Sequence, residues 1–296
     1  MKLIKPSVEY WQAQEDWRDQ VARAARLCYA SESGKKTSEE FVDMLIKRNH
    51  ISMLRHGTRY FVIYVNDKNP IVPGWIFVAM NNTPYVGCVY HKCKANKHIR
   101  AYFVAANCQY LMEHEAITNH LKAYEVSLGE FVAQASALNF PTAYTLIRYT
   151  VCVTTQISTS RELNRTSPNN IAEQSTRYVN FGKKGGVTIV VPHWWECAHW
   201  SKRLLARVVW KVDEWAYYIA LRLGLPPQDA RGFLPLDAGT RVAYTYSVHE
   251  WKKIMRLRLT GETGKPHPNA HIAAQQIHDA ILPAMKVFGG PDSSLI

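Results

Sequence analysis

Long apolar runs are missing from this 296-residue sequence. The longest, such as Ile71 to Met80, reach only about ten residues and are broken by Pro or Gly, against the ~20 that a membrane-spanning helix needs. The opening stretch MKLIKPSVEYWQAQEDW has lysines but neither the apolar core nor the cleavage site of a secretory leader. Cysteine is sparse: Cys28, Cys88, Cys93, Cys108, Cys152 and Cys197 form no C-x-x-C pair. A disulfide scaffold is therefore excluded, and a reduced, cytoplasmic setting is expected. His91, Cys93 and His98 lie close together but lack a second ligand group, so no metal site is expected. The sequence shows no internal repeat, no low-complexity segment and no linker-like shift in composition. One domain spanning 1–296 is expected.

Acidic residues are also few. The 24 Asp and Glu face 36 Lys and Arg, a net charge of +12. Such an excess points to an anionic partner: nucleic acid, a membrane surface or a phosphorylated small molecule. A solvated basic face is the plain alternative. The apolar fraction of 47%, with nine Trp, is ample for a buried core and excludes intrinsic disorder.

Hydrophobic periodicity predicts a mixed α/β (α+β) chain. Thr37-Ser38-Glu39-Glu40 reads as a capping box that opens a helix, and Val21 to Tyr29 is helical in period. Tyr60 to Val65 and Thr145 to Val153 read as strands, the latter with Ile147, Tyr149, Val151 and Val153 on one face. Ala101 to Leu128 looks helical. Ser158 to Arg165 is a short helix that Pro168 must end. Val187 to Val191 and Thr240 to Val248 read as strands. His199 to Leu223 reads as a long amphipathic helix, and further helices reach to near Val287.

The densest polar segment is Arg161 to Tyr178 (RELNRTSPNNIAEQSTRY). Arg161, Glu162 and Arg165 cluster on one side of the short helix. Glu173-Gln174-Ser175-Thr176-Arg177 then offers two hydroxyls, backbone N–H groups and a planar guanidinium, the partners a phosphate monoester needs. A loop tied to a neighbouring helix would use the same residues.

The segment resembles the signature of flavin-dependent thymidylate synthases, R-H-R followed after seven residues by S-x-R-Y. Arg165 falls on the first Arg, and Ser175, Arg177 and Tyr178 fall on the closing positions. His50 to Thr58 (HISMLRHGT) resembles the family's H-x-S-x-x-E-H stretch. Ala230 to Pro235 (ARGFLP) resembles its A-R-x-x-L-P block, with Arg258 at the later Arg. The resemblance covers about residues 20–65, 141–195 and 228–275, and makes 66–143 an insertion.

The resemblance implies a homotetrameric α/β fold with sites assembled from several subunits, and transfer of a one-carbon unit from methylenetetrahydrofolate to carbon 5 of dUMP. FAD would carry the unit, NADPH would supply electrons, and dTMP would be the product, with no cysteine nucleophile. It places Glu173, Gln174, Ser175, Thr176 and Arg177 on the nucleotide, with Arg231 reaching its phosphate from a neighbouring subunit. Arg165 would sit between nucleotide and flavin, Arg258 on the uracil carbonyl edge, and Glu162 beside them. His56 and Thr58, with Arg165, Thr166, Ser167, Ser247, His249 and Lys253, would face the cofactor.

The departures fall on that cofactor side. Thr166-Ser167 replaces His-Arg, Arg55 replaces Glu, and Ser247, His249 and Lys253 replace Asn, Arg and Asn. The flavin would then be held differently, with Arg55 and Lys253 supplying charge, or the chemistry would differ, or the flavin would be unused. A dUMP hydroxymethylase, in which water completes the reaction to 5-hydroxymethyl-dUMP, is one alternative. A non-catalytic nucleic-acid-binding relative, using Lys92, Lys94, Lys97 and Arg100 of the aromatic-rich insertion, is another. His193 and the Trp194-Trp195-Trp200 group read as core or interface packing, FGKKGG around Lys183-Lys184 as a mobile basic loop without a Walker pattern, and His267 as either a turn residue or a ligand contact.

Overall fold

A computed structural model describes residues 1–29, 34–66, 74–81, 83–92, 98–166, 170–177, 181 and 186–287. In chain order the first elements are β1 (Lys2–Ile4), β2 (Ser7–Trp11), α1 (Trp17–Tyr29), α2 (Ser38–Lys47), β3 (Thr58–Asn66), α3 (Gly74–Asn81), β4 (Val86–Lys92) and β5 (Ile99–Asn107). Next come α4 (Cys108–Glu113), α5 (Glu115–Leu121), β6 (Glu125–Val126), α6 (Leu128–Ala137), β7 (Arg148–Gln156) and α7 (Ile157–Asn164). The rest is β8 (Ile171–Glu173), β9 (Thr188–Val190), α8 (Trp200–Arg222), α9 (Pro227–Ala230), β10 (Gly239–Ser247), α10 (Val248–Met255) and α11 (Pro268–Val287). Cys93, Lys94, Lys97, Ser167, Tyr178 and the lysines of FGKKGG lie outside the described residues.

The fold is mixed α+β and rests on two four-stranded antiparallel sheets, ordered β4-β5-β3-β6 and β2-β7-β10-β8. They share a core in which Tyr60, Phe103 and Phe131 from one side meet Tyr149, Val151, Tyr246 and Trp251 from the other. The alternation expected at Ile147, Tyr149, Val151 and Val153 is present, and all four are buried.

Two expectations are corrected. Ala101 to Asn107 is not helical but belongs to β5, which pairs with β3 on one side and β4 on the other. Its alanines suit a helix, yet Tyr102, Phe103 and Val104 between them suit a strand, and double-sided pairing decides the outcome. The chain also holds an internal repeat. A helix, a 3-10 turn and a strand occur at Ser38–Lys47, Ile51–His56 and Thr58–Asn66, and again at Leu128–Ala137, Pro141–Leu146 and Arg148–Gln156, shifted by 90 residues (38 to 128). Each helix opens with a capping box, Thr37 with Glu40 and Ser127 with Glu130. Each is followed by an asparagine at positive φ, Asn49 at 59° and Asn139 at 46°. Each repeat strand then pairs with a later antiparallel strand, Thr58 opposite Asn107 and Arg148 opposite Ser247.

The outer strands are exchanged between the repeats. β2 lies in the chain before the first repeat but completes the second sheet, while β6 immediately precedes the second repeat but completes the first sheet. The segment 66–143 therefore builds most of one sheet and shares its core with the other.

Helix α8 has the expected length, but it buries Trp210, Glu214, Tyr217 and Ala220. Its apolar row Trp200, Leu204, Val208, Val212, Trp215 and Ile219 is at least half exposed. Buried Glu214 is held by Lys211 at 2.6 Å and by the Met1 amino group at 2.7 Å. Among the described residues, no helix is long and apolar enough to cross a membrane and no cluster could hold a metal ion.

Candidate functional site

The β10 register puts Glu173 opposite Val242, at the point where the chain leaves the sheet. Its carboxylate accepts from the Ser160 hydroxyl at 2.8 Å, the Thr240 hydroxyl at 3.1 Å and the Asn164 amide at 3.3 Å. Asn164 is in turn fixed by the Tyr244 hydroxyl at 2.7 Å. Glu173 is thus an anchor that ties the following loop to α7 and β10. The Gln174 amide donates to Arg241 O at 2.8 Å and the Ser175 amide to Cys28 O at 3.0 Å. Those two N–H groups hold the loop in place, so an incoming anion meets side chains here.

Those side chains converge. Arg231 Nη1 donates to Thr176 Oγ1 at 3.3 Å, Arg177 Nε donates to Gln228 Oε1 at 3.1 Å, and the Arg177 amide donates to Ser175 Oγ at 3.1 Å. Two guanidiniums and two hydroxyls therefore surround one loop, and Arg177 and Arg231 are both exposed. Arg231 meets Thr176 of its own chain. Such a pair of planar cations suits bidentate binding of a phosphate. Gln228, just ahead of the ARGFLP block, was not singled out from the sequence.

A second cluster forms at the C-terminal end of α7. Arg258 Nε and Nη2 donate to the Glu162 carbonyl at 3.1 and 2.8 Å, and Nη2 lies 3.6 Å from the Glu162 carboxylate. Arg165 Nη1 lies 3.3 Å from the other carboxylate oxygen. A cation on the last carbonyls of a helix also suits its dipole. Arg258 rides on a π-turn, Arg256–Thr260, closed by Gly261 at φ 74°, where a Cβ would press on Gly264 O at 3.1 Å. Ser160 and Asn164 share one face of α7, whereas Glu162 lies about 200° around the helix from Ser160. Glu173 and the Glu162 carboxylate therefore lie on different faces of α7.

The positions expected to face a cofactor do not converge within one chain. His56 and Thr58 line a cleft of about 470 Å³ between the repeats, whereas Ser247 and His249 line another of about 580 Å³ beside Thr83 to Val89. His56 is buried, its Nδ1 is 2.8 Å from Thr245 Oγ1, and Thr245 also meets Thr150 Oγ1 at 2.8 Å. Burial, followed by the Arg148 guanidinium, pulls His56 down to about 3, so it is neutral. The Thr166 hydroxyl is buried and donates to Leu163 O at 2.6 Å. Ser247 caps α10 through Glu250, while His249 and Lys253 are exposed. Arg55 Nε donates to Gln109 Oε1 at 2.6 Å. These residues do not fit a flavin held by a single chain. Burial pushes Cys28 and Cys88 up to about 12 and Cys108 still higher, so none of these three supplies a thiolate at neutral pH.

His193 and His267 pack edge to face near Asn269, whose Oδ1 accepts from the His193 amide at 2.8 Å. Arg148, which the sequence reading passed over, lines both clefts.

No curated protein sequence matches the chain. Among the solved structures that resemble it are two of a UMP/dUMP methylase, PolB, from Streptomyces cacaoi. The one bound with 5-Br dUMP has a TM-score of 0.48 and 16% identity, covering 97% of this chain and 95% of that one. The one bound with 5-Br UMP has a TM-score of 0.45 and 15% identity, covering 97% of each. The family model for thymidylate synthase complementing protein matches residues 95–286. That match takes in the Glu173–Arg177 loop, Arg231 and Arg258, begins within the segment read as an insertion, and leaves out His50 to Thr58. The 3-10 turn and strand at 51–66 recur at 141–156, inside the matched residues. The chain belongs to the thymidylate synthase complementing protein family.

Proposed function

We propose that this chain is a one-carbon transferase that modifies carbon 5 of dUMP. The observation that carries the reading is the Ser175–Arg177 loop, flanked by Arg177 and Arg231 and anchored through Glu173, in a member of this family. The nucleotide phosphate binds there to guanidiniums and hydroxyls. Arg258, pinned to the Glu162 carbonyl, offers a fixed cation for negative charge that develops on a uracil carbonyl during attack at carbon 5. In this reading one nucleotide meets both clusters when chains assemble. The exposed apolar row of α8 supports self-association, with a homotetramer as the expected form. Methylenetetrahydrofolate is the one-carbon donor in this reading, and FAD with NADPH would supply the reduction that gives dTMP.

A second reading is supported by Thr166. A buried hydroxyl turned onto Leu163 O stands where the family pattern has a polar cofactor-facing residue. If reduction is slow, water completes the reaction and the product is 5-hydroxymethyl-dUMP. Incubation with dUMP and methylenetetrahydrofolate, with and without FAD and NADPH, followed by mass spectrometry of the nucleotide, separates the two. A gain of CH2 is expected for methylation and a gain of CH2O for hydroxymethylation; an unchanged nucleotide under every condition would refute both. Arg177→Ala is expected to weaken dUMP binding by about 2–4 kcal/mol, the scale of losing a charge-assisted phosphate contact. Unchanged affinity would place the phosphate elsewhere.

A further inference from the structure

Substitution at carbon 5 of a uracil ring requires the hydrogen already on that carbon to leave. The ring's C5=C6 electron pair bonds to the incoming carbon of a CH2=N+ donor, whose C=N π pair moves to nitrogen. Carbon 5 then carries both the new carbon and its hydrogen, and the N1 lone pair holds carbon 6 as a C6=N1+ cation. Breaking the C5–H bond returns its electron pair to the ring as C5=C6 and neutralises N1, and the proton needs an acceptor. A methyl and a hydroxymethyl product both pass through this step. That hydrogen lies next to a cation and is acidic, so a carboxylate within reach is a strong enough base.

Several groups in the fold are unsuited to that task. Burial holds the Cys28, Cys88 and Cys108 thiols protonated. The Glu173 carboxylate is filled by the Ser160 and Thr240 hydroxyls and the Asn164 amide. Glu162 differs. Arg258 spends Nε and Nη2 on the Glu162 carbonyl, so cation and residue are held together, and the other N–H groups of the guanidinium can meet a ligand. The carboxylate itself has longer contacts, 3.6 Å to Arg258 and 3.3 Å to Arg165, and the side chain is 36% exposed. Arg165 is 74% exposed. An ion pair with so open a partner is weak, so the carboxylate can turn from it to a ligand at little cost.

Resting on the dUMP reading, in which Arg258 meets a uracil carbonyl, we propose that Glu162 is the catalytic base that removes the carbon 5 proton. Carbon 5 is bonded to carbon 4, so with Arg258 on the carbon 4 carbonyl the neighbouring carboxylate lies beside the C5–H bond. A Glu162 carboxylate oxygen takes the proton, and the partly exposed side chain passes it to water before the next turnover. Arg258 thus has a second task, which is to hold the ring in register with the base.

Tritium release from dUMP labelled at carbon 5 tests this, with the full chain, methylenetetrahydrofolate, FAD and NADPH. Glu162→Gln keeps the shape of the side chain and removes its basic oxygen. It is expected to slow release about 100-fold, the scale of losing a general base, while dUMP still binds. Deuterium at carbon 5 is expected to slow the Glu162→Gln reaction more than the wild-type one, because proton removal has become limiting. In Glu162→Ala, a substitution that an exposed helix position tolerates, added acetate is expected to restore release, and formate, the weaker base, to restore less. This rescue decides the matter if Glu162→Gln fails to fold. A purely structural Glu162 would lower Tm with neither the isotope effect nor the rescue, and that result would overturn the proposal. Release from Glu162→Gln at the wild-type rate would do the same and leave the dUMP reading standing. A wild-type chain that binds no dUMP and releases no tritium would refute that reading, and the base with it.

Discussion

His56 works as an uncharged polar strut, joined to Thr245 and through it to Thr150. Burial lowers its affinity for a proton from the ordinary 6.5 to about 3. Between those values the unfolded chain binds the extra proton and the folded chain does not, so stability falls as pH drops through this window. The slope approaches about 1.4 kcal/mol per pH unit for one such group. Urea denaturation between pH 7 and pH 4 should show that loss, and His56→Gln should flatten that part of it. A wild-type profile flat over the range would contradict the assignment. At this scale the sequence was partly legible: Ser175, Arg177 and Arg231 could be grouped through their motif blocks. The anchoring of Glu173 by Ser160, Asn164 and Thr240 could not, because those partners become neighbours only when α7 and β10 are laid against β8.

At the scale of elements, the two asparagines after α2 and α6 let the chain turn through the left-handed region before each 3-10 turn. Residues other than Gly, Asn and Asp pay roughly 1–2 kcal/mol there. Asn49→Ala and Asn139→Ala should each lower unfolding free energy by about 1 kcal/mol, while the Gly substitutions should be close to neutral. Equal losses for Ala and Gly in denaturant titrations would show that the side chains act through something other than backbone conformation. Capping boxes and alternating strands were readable because their signals are local. The repeat was not. Only Glu40 and Glu130, Phe41 and Phe131, Val42 and Val132, and Asn49 and Asn139 are identical between its two helix–turn–strand units. What the two copies keep is a cap, a packed first turn and a left-handed exit, with different side chains filling the rest.

Across the whole molecule, the basic excess noted in the composition gathers in part at Arg165, Arg177, Arg231 and Arg258, around sites suited to a small anion. The apolar surplus shows on α8, where Leu204, Val208 and Val212 are spaced like one face of a packed helix but stand in solvent within a single chain. Val208→Glu with Val212→Glu should shift the protein toward monomer in analytical ultracentrifugation, with far-UV circular dichroism unchanged. A wild-type chain that sediments as a monomer at all concentrations would refute self-association through this face.

The exchange of β2 and β6 has a consequence for how the chain is made. As the first repeat leaves the ribosome, the strand that closes its sheet has yet to be synthesised, while β2, already available, is waiting for a partner more than a hundred residues downstream. The first sheet cannot gain its outer strand until β6 has emerged, nor β2 its partner until β7 has. The two halves are therefore interlocked in time as well as in space: proteolysis or truncation between them leaves open strand edges rather than two smaller working proteins.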